Sequence, residues 1–188
     1  ELAAFVKPGI STKDIDKFVE TVKNIAPTFG GINLEDIKAP ESFEIERRLI
    51  EELNIPVMHD DQHGTAIISS AGLLNALELA DKKIEDIKLV VSGAGSAALA
   101  CSNLYLLLGV KLENIIMFDK DGVLHNNRTD LLPIQMRYAK DVEGMTLAEA
   151  MVDSDVFLGL SAPNVLTPEM LLTMNANPIV FAMANPVP

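Results

Sequence analysis

Apolar residues along the chain fall into two alternating rhythms, short continuous runs and longer stretches with an apolar residue every third or fourth position. That alternation predicts strands separated by helices. Over 12–25, Ile15, Phe18, Val19, Val22 and Ile25 share one helical face, with Ser11 or Thr12 as the cap and Pro27 as the stop. A short glycine-containing apolar run over 28–34 ends in Glu35 and Asp36. A second amphipathic helix over 41–53 carries Phe43, Ile45, Leu49 and Ile50, and a strand over 55–58 tolerates Pro56 near its start. The stretch HDDQHGT follows as a loop, and 66–80 reads as a buried helix.

The rhythm then settles into strand and helix in turn. Strands are predicted over 87–91, 115–118, 156–159 and 179–182, with helices over 95–108 and 167–174 and shorter helical segments near 130–138 and 146–152. Strands joined through helices imply a parallel sheet, with ligands at the strand carboxyl ends. The charged connection at 80–87 marks a soft boundary, so 1–84 is read as part of a metal- and substrate-binding α/β segment and 85–188 as a Rossmann-type NAD(P)-binding domain.

Composition narrows the class. The chain has 188 residues, 48% of them hydrophobic, enough for a buried core in a globular α/β protein. A net charge of −12 argues against a nucleic-acid partner, which would call for a basic face. No apolar run is long enough to span a bilayer, and no signal-peptide pattern appears. The single cysteine, Cys101, cannot form an internal disulfide and fits a reducing, cytoplasmic compartment; it reads as core. A start without Met and an abrupt end at Pro188 read as a piece of a longer protein.

Two constellations carry candidate chemistry. Gly93, Ala94, Gly95, Ser96, Ala97 and Ala98 form a G-x-G-x-x-A turn between a predicted strand and a predicted helix. The first glycine permits the tight turn, the second lets a pyrophosphate approach the backbone, and the helix N-terminus supplies amides. Asp119 ends the next strand, where it would accept from ribose hydroxyls and favour NAD; Lys120 beside it would instead meet the 2′-phosphate of NADP. The second constellation is Glu35, Asp36, Asp60 and Asp61, carboxylates following two neighbouring strands. Such oxygen donors suit Mg²⁺ or Mn²⁺, and beside a dinucleotide turn they suggest metal-assisted redox chemistry. His59 and His63 read as loop histidines with local hydrogen bonds, and His125 as solvated. Asn185, before a proline at a strand end, reads as a turn residue with a ligand role also open.

The stretches GGINLEDIKAPESFEIE (30–46), IPVMHDDQHGTA (55–66), GAGSAA (93–98), GLSAPNVLT (159–167) and FAMANPVP (181–188) resemble malic enzymes of the compact, bacterial type. The resemblance implies oxidative decarboxylation of malate to pyruvate and CO₂, with NAD or NADP reduced and Mg²⁺ or Mn²⁺ bound. By position it implies Glu35, Asp36 and Asp61 as metal ligands, with Asp60 beside them in the active site. It further implies Gly93, Ala94, Gly95, Ser96 and Ala97 at the cofactor phosphates, Ser161 and Ala162 near the cofactor, and Asn185 facing substrate and nicotinamide. A homodimer or higher homo-oligomer is implied as well. Two other readings use the same residues: a metal-independent dinucleotide-dependent dehydrogenase, and a non-catalytic nucleotide-sensing module that binds dinucleotide but no metal. The first needs no carboxylate cluster; the co-occurrence of Glu35, Asp36 and Asp61 counts against the second.

Members of the family use a tyrosine as general acid and a lysine as general base, both upstream of the LED motif. Here no tyrosine precedes Glu35, and Lys7, Lys13, Lys17 and Lys23 do not match the lysine motif. The 188-residue chain on its own is therefore expected to show no malate-dependent NAD(P)H formation. Absorbance at the nicotinamide band checks this, and clear turnover would place the acid–base pair within these residues.

Overall fold

In a computed structural model, which describes residues 9–185, the helical spacing over the first segment becomes α1 (Ile15–Ile25). Its cap is Asp14, whose carboxylate accepts the Lys17 N–H at 3.2 Å. Ser11 and Thr12 do not cap it; Thr12 Oγ1 accepts the Asp14 N–H at 3.1 Å instead. Pro27 lies within the short 3₁₀ turn Ala26–Thr28 that ends the helix. Strand β1 (Ile32–Leu34) and strand β2 (Val57–His59) pair in parallel, Leu34 opposite His59, and α2 (Glu41–Glu52) connects them. Val19 and Val22 of α1, Leu34 of β1, and Ile45 and Leu49 of α2 form one core. Glu46, 8% exposed, reaches from α2 to accept the His59 N–H at 2.9 Å. Ion pairs between α1 and α2, Lys23 with Glu52 and Arg48 with Asp16, lie on the outer surface and each contribute little.

Contacts divide the chain into two compact units, one ending at Asp60 and one starting at Asp61. The composition change read from the sequence lies some twenty residues later, between Ala80 and Ile87. Helix α3 (Asp60–Ala80) accounts for the difference, because it packs with the second unit. Gly72 of α3 leaves no space between helix and the Phe181 ring, which a Cβ would meet at 3.3 Å. Ser69 Oγ of the same helix donates to Cys101 Sγ at 3.3 Å. Cys101 is buried, as expected, and burial pushes its thiol up.

The second unit holds a five-stranded sheet in the order β5-β4-β3-β6-β7. These are β3 (Leu89–Ser92), β4 (Ile115–Asp119), β5 (Gly122–Val123), β6 (Val156–Gly159) and β7 (Ile179–Ala182). All neighbours run parallel except β4 and β5, a small antiparallel hairpin that the sequence pattern did not suggest. Two residues are too few to show an alternation, and the Asp-Gly dipeptide at 121–122 is the one local cue. Every residue of β3 and β6 is buried, as expected of strands covered on both faces. Helix α4 (Ser96–Leu108) matches the expected span, whereas α5 (Pro133–Met136), α6 (Leu147–Met151) and α7 (Pro168–Leu172) are shorter than their apolar patterns. No described helix is long and apolar enough to cross a membrane.

At the amino-terminal edge of the sheet, Asp155 ties several segments together. It accepts from Lys82 Nζ at 2.6 Å, the Lys88 N–H at 2.9 Å and Asn175 Nδ2 at 3.1 Å. Burial raises the Asp155 carboxyl, but the Lys82 ammonium and the other donors outweigh that and hold it below the ordinary range. A carboxyl depressed in the folded state adds stability above its unfolded pKa of about 3.9, and that stability fades as pH falls through the folded value. Asp155→Asn is therefore expected to lower unfolding free energy by about 1.5–3 kcal/mol at pH 7. Below about pH 4 the gap to wild type should narrow, as denaturant melts at pH 7 and in acid would show.

Candidate functional site

Because β1 and β2 are parallel and end in register, the residues after them leave the sheet side by side. Glu35 and Asp36 follow β1, both exposed, and Asp36 adopts a left-handed conformation at φ 60°. After β2 there is no loop. His59 is the last strand residue and Asp60 the first of α3, so Asp60 and Asp61 occupy the opening turn of a helix rather than loop edges. The expectation that HDDQHGT is a loop fails because nothing in it halts a helix: it holds no proline, and its single glycine, Gly64, weakens a helix by only about 1 kcal/mol. His59 is correspondingly fully buried, and His63 lies exposed on the first turns of α3. Glu35, Asp36 and Asp60 thus share one strand-end edge, with hard oxygen donors that fit Mg²⁺ or Mn²⁺.

In the second unit the chain leaves β3 for β4 on one side and returns to β6 on the other, so the strand order reverses at β3. Ligands of open parallel sheets bind outside the carboxyl ends at such a point. Gly93 and Ala94 are buried there, Gly95 is exposed as the residue before α4, and Ser96 and Ala97 open that helix, half-buried. Gly93 adopts φ 120°, and a Cβ on it would stand 2.9 Å from the Leu160 carbonyl oxygen. The same crossing is stitched by the Leu160 N–H donating to the Ser92 carbonyl at 2.8 Å and by a 2.8 Å hydrogen bond between the Ser92 and Ser161 hydroxyls. Ser161 therefore borders the glycine turn, and Ala162 follows it, exposed. Asn185 lies exposed three residues beyond β7, at the carboxyl edge of the same sheet, and the proline after it is outside the described residues.

Asp119 ends β4 as expected, but its carboxylate is already engaged. Arg128 donates to both its oxygens at 2.8 Å, and the Asp121 N–H adds a third bond at 2.8 Å. Burial raises Asp119, yet Arg128 outweighs it and holds the carboxyl below its ordinary range; Asp130, which Arg128 also grips, is lowered to about 2. Among the described residues, the acidic oxygens that gather within 4.8 Å of one another are those of Asp119, Asp121 and Asp130. The Arg128 guanidinium, 9% exposed, already balances that group. Lys120 is exposed and pairs with Asp121 at 2.6 Å. His125 is half-buried rather than solvated, because the segment holding it forms a bridge to Lys140.

Sequence reasoning missed Arg128, Ser92 and Gln135. Ser92 had one usable signal, a small polar residue at a strand end directly before a glycine turn. Arg128 and Gln135 sit nine and forty-one residues from the groups they bind, with no local pattern to mark them.

The reversal of strand order at a glycine turn that opens a helix defines a dinucleotide-binding α/β protein with a mostly parallel sheet. Residues 62–188 match the family described as malic enzyme, NAD binding domain, and residues 8–50 match malic enzyme, N-terminal domain. The NADP-dependent malic enzyme of Halomonas elongata is 50% identical over 96% of this chain, and the NAD-dependent malic enzyme of Geobacillus stearothermophilus is 51% identical over 95%. A solved structure of the NAD-dependent malic enzyme from Thermotoga maritima superposes with TM-score 0.88 and 44% identity over 95% of the chain. The chain belongs to the malic enzyme family. It spans 44%, 38% and 48% of those three relatives.

The tight crossing at Gly93 has a measurable consequence. Gly93→Ala is expected to destabilise the protein by about 1–3 kcal/mol, since it adds both a positive-φ penalty and a clash with the Leu160 backbone. Gly95→Ala meets nothing within 4 Å and should leave the melting temperature close to wild type. Paired thermal melts compare them.

Proposed function

We propose that the full-length protein carrying this chain oxidatively decarboxylates malate to pyruvate and CO₂, reducing NAD or NADP in a reaction that needs Mg²⁺ or Mn²⁺. What carries the reading is the half-identical alignment with named malic enzymes over nearly the whole chain, which embraces both the carboxylate edge and the glycine turn. In this reading 1–84 is the carboxyl-terminal part of the substrate- and metal-binding segment and 85–188 is the NAD(P)-binding domain. Glu35, Asp36 and Asp61 would hold the cation, with Asp60 beside them to orient substrate and ligands. Gly93, Ala94, Gly95, Ser96 and Ala97 would present amides to the cofactor phosphates, and Ser161 and Ala162 would flank the cofactor. Asn185 would use its side-chain amide to orient malate against the nicotinamide.

A bound cation would supply Lewis-acid polarisation of the C2 oxygen of malate, lowering the pKa of its hydroxyl and favouring departure of the β-carboxylate once C2 is a ketone. The chain's own residues do the arranging. Hydride transfer needs substrate and cofactor within near-attack distance, so strand-end groups on fixed elements matter more than any single contact. Asp119 would accept a ribose hydroxyl, and Lys120 would meet a 2′-phosphate. Relatives of both cofactor names align, and both residues already have protein partners, so the choice between NAD and NADP is left to the assay. A cytoplasmic, homo-oligomeric enzyme completes the reading.

The test is malate oxidation by the full-length protein with and without Mn²⁺, with NAD and NADP tried separately, beside the variant Asp61→Ala. The expected result is metal-dependent pyruvate formation that falls by more than about 100-fold in the variant, since even second-shell changes at metal sites cost 10–100-fold. Turnover indifferent to metal and to the substitution would assign the chain to the metal-independent dehydrogenases instead.

A further inference from the structure

We propose that Gln135 is a positioning residue for the cofactor pyrophosphate: it fixes the Ala94–Gly95 peptide so that the Gly95 amide faces the anion. The inference rests on the dinucleotide reading above. Gln135 lies on α5, and its Nε2 donates to the Ala94 carbonyl at 2.9 Å. At the other end of the same amide, Oε1 accepts the Leu132 N–H at 2.8 Å. Both ends are used, so the amide cannot be turned over without setting acceptor against acceptor at Ala94 and donor against donor at Leu132.

A trans peptide is planar, and its C=O and N–H point in opposite directions. Holding the Ala94 carbonyl toward Gln135 therefore turns the Gly95 N–H away from it. Exposure agrees, since Ala94 is 7% exposed and buried whereas Gly95 is exposed. The turn needs such a tether. The Ser92–Gly93 peptide at the start of the turn is secured by backbone alone, its N–H donating to the Phe118 carbonyl at 2.8 Å and its carbonyl accepting the Leu160 N–H at 2.8 Å. The Ala94–Gly95 peptide is held through its carbonyl by a side chain, and glycine's soft torsions would otherwise let that plane rotate. Gly95 is also the residue before α4, with no side-chain cap, so its amide is among those the helix end offers to a phosphate.

Two substitutions separate the contributions in the full-length protein. Gln135→Met removes both hydrogen bonds while keeping the shape. Gln135→Glu keeps the acceptor for Leu132 but, ionised, cannot donate to Ala94. The probes are ADP-ribose, which carries the pyrophosphate, and adenosine, which does not, each measured by equilibrium competition against NAD or NADP. Both variants are expected to bind ADP-ribose about tenfold more weakly, the loss of one hydrogen bond's worth of orientation, with adenosine unchanged. KM for the dinucleotide should rise by a similar factor, with kcat at saturation within about twofold of wild type, because a uniform binding contact is being removed. If Gln135→Met does not fold, the Glu variant carries the test alone.

ADP-ribose binding unaltered in a folded variant, or adenosine weakened as much as ADP-ribose, would overturn the assignment while leaving the dinucleotide site intact. Wild-type protein that binds neither ADP-ribose nor NAD(P) would overturn the dinucleotide reading and this inference together.

Discussion

The second unit turns on a place where two backbones touch. Gly93 passes the Leu160 carbonyl so closely that a single added carbon would sit 2.9 Å from it, at a φ that side chains rarely adopt. Around this crossing the Gly93 amide reaches β4, the Ser92 carbonyl receives the Leu160 amide, and the Ser92 hydroxyl meets that of Ser161. The carboxyl ends of β3, β4 and β6 are thereby joined edge to edge. Everything at that end of the sheet, the glycine turn, Ser161 and the acidic group after β4, takes its position from strands that cannot drift apart there. Three of the helices outside the sheet are only four or five residues long.

Much of this was legible in the sequence. β6 and β7 match their apolar runs residue for residue; for β6 the reason is that a fully buried parallel strand leaves an uninterrupted apolar signature between polar turns. The amphipathic helices α1 and α2 also match closely, since one face meets a core and the other meets water. The pattern failed where chemistry and structure overlap. HDDQHGT reads as a loop because it follows a strand end, yet a helix begins within it at Asp60. Its polar residues include the buried Gln62, so polarity there does not report exposure. The hairpin strand β5 was missed for lack of length, and the Asp14 cap was missed because two other good capping residues stand just before it.

The candidate site divides in the same way. The glycine at position 93 could be read directly, because the tight turn it was expected to permit takes a positive φ there. Side chains that act across the fold could not. Asp119 was expected to wait for a ribose, but Arg128 already spans it with two bonds. Only the folded chain brings these two together, along with Asp121 and Asp130. Gln135 is a similar case, its partner being a carbonyl in the turn before α4, with α4, β4 and β5 between them along the chain. Spacing reveals what a residue does to its neighbours in sequence; it says nothing of partners supplied by topology.

The two-residue strand β5 closes one margin of the sheet. An unpaired strand border is a template on which another chain can grow, and long flat borders invite that growth. Here the border is short, flanked by Lys120 and Asp121 and followed within a few residues by Asn126, Asn127 and Arg128. An incoming strand would find two residues of ladder and then charge that must be stripped of water. The β5 margin is therefore a poor template for a further strand, and growth of the sheet is blunted on that side.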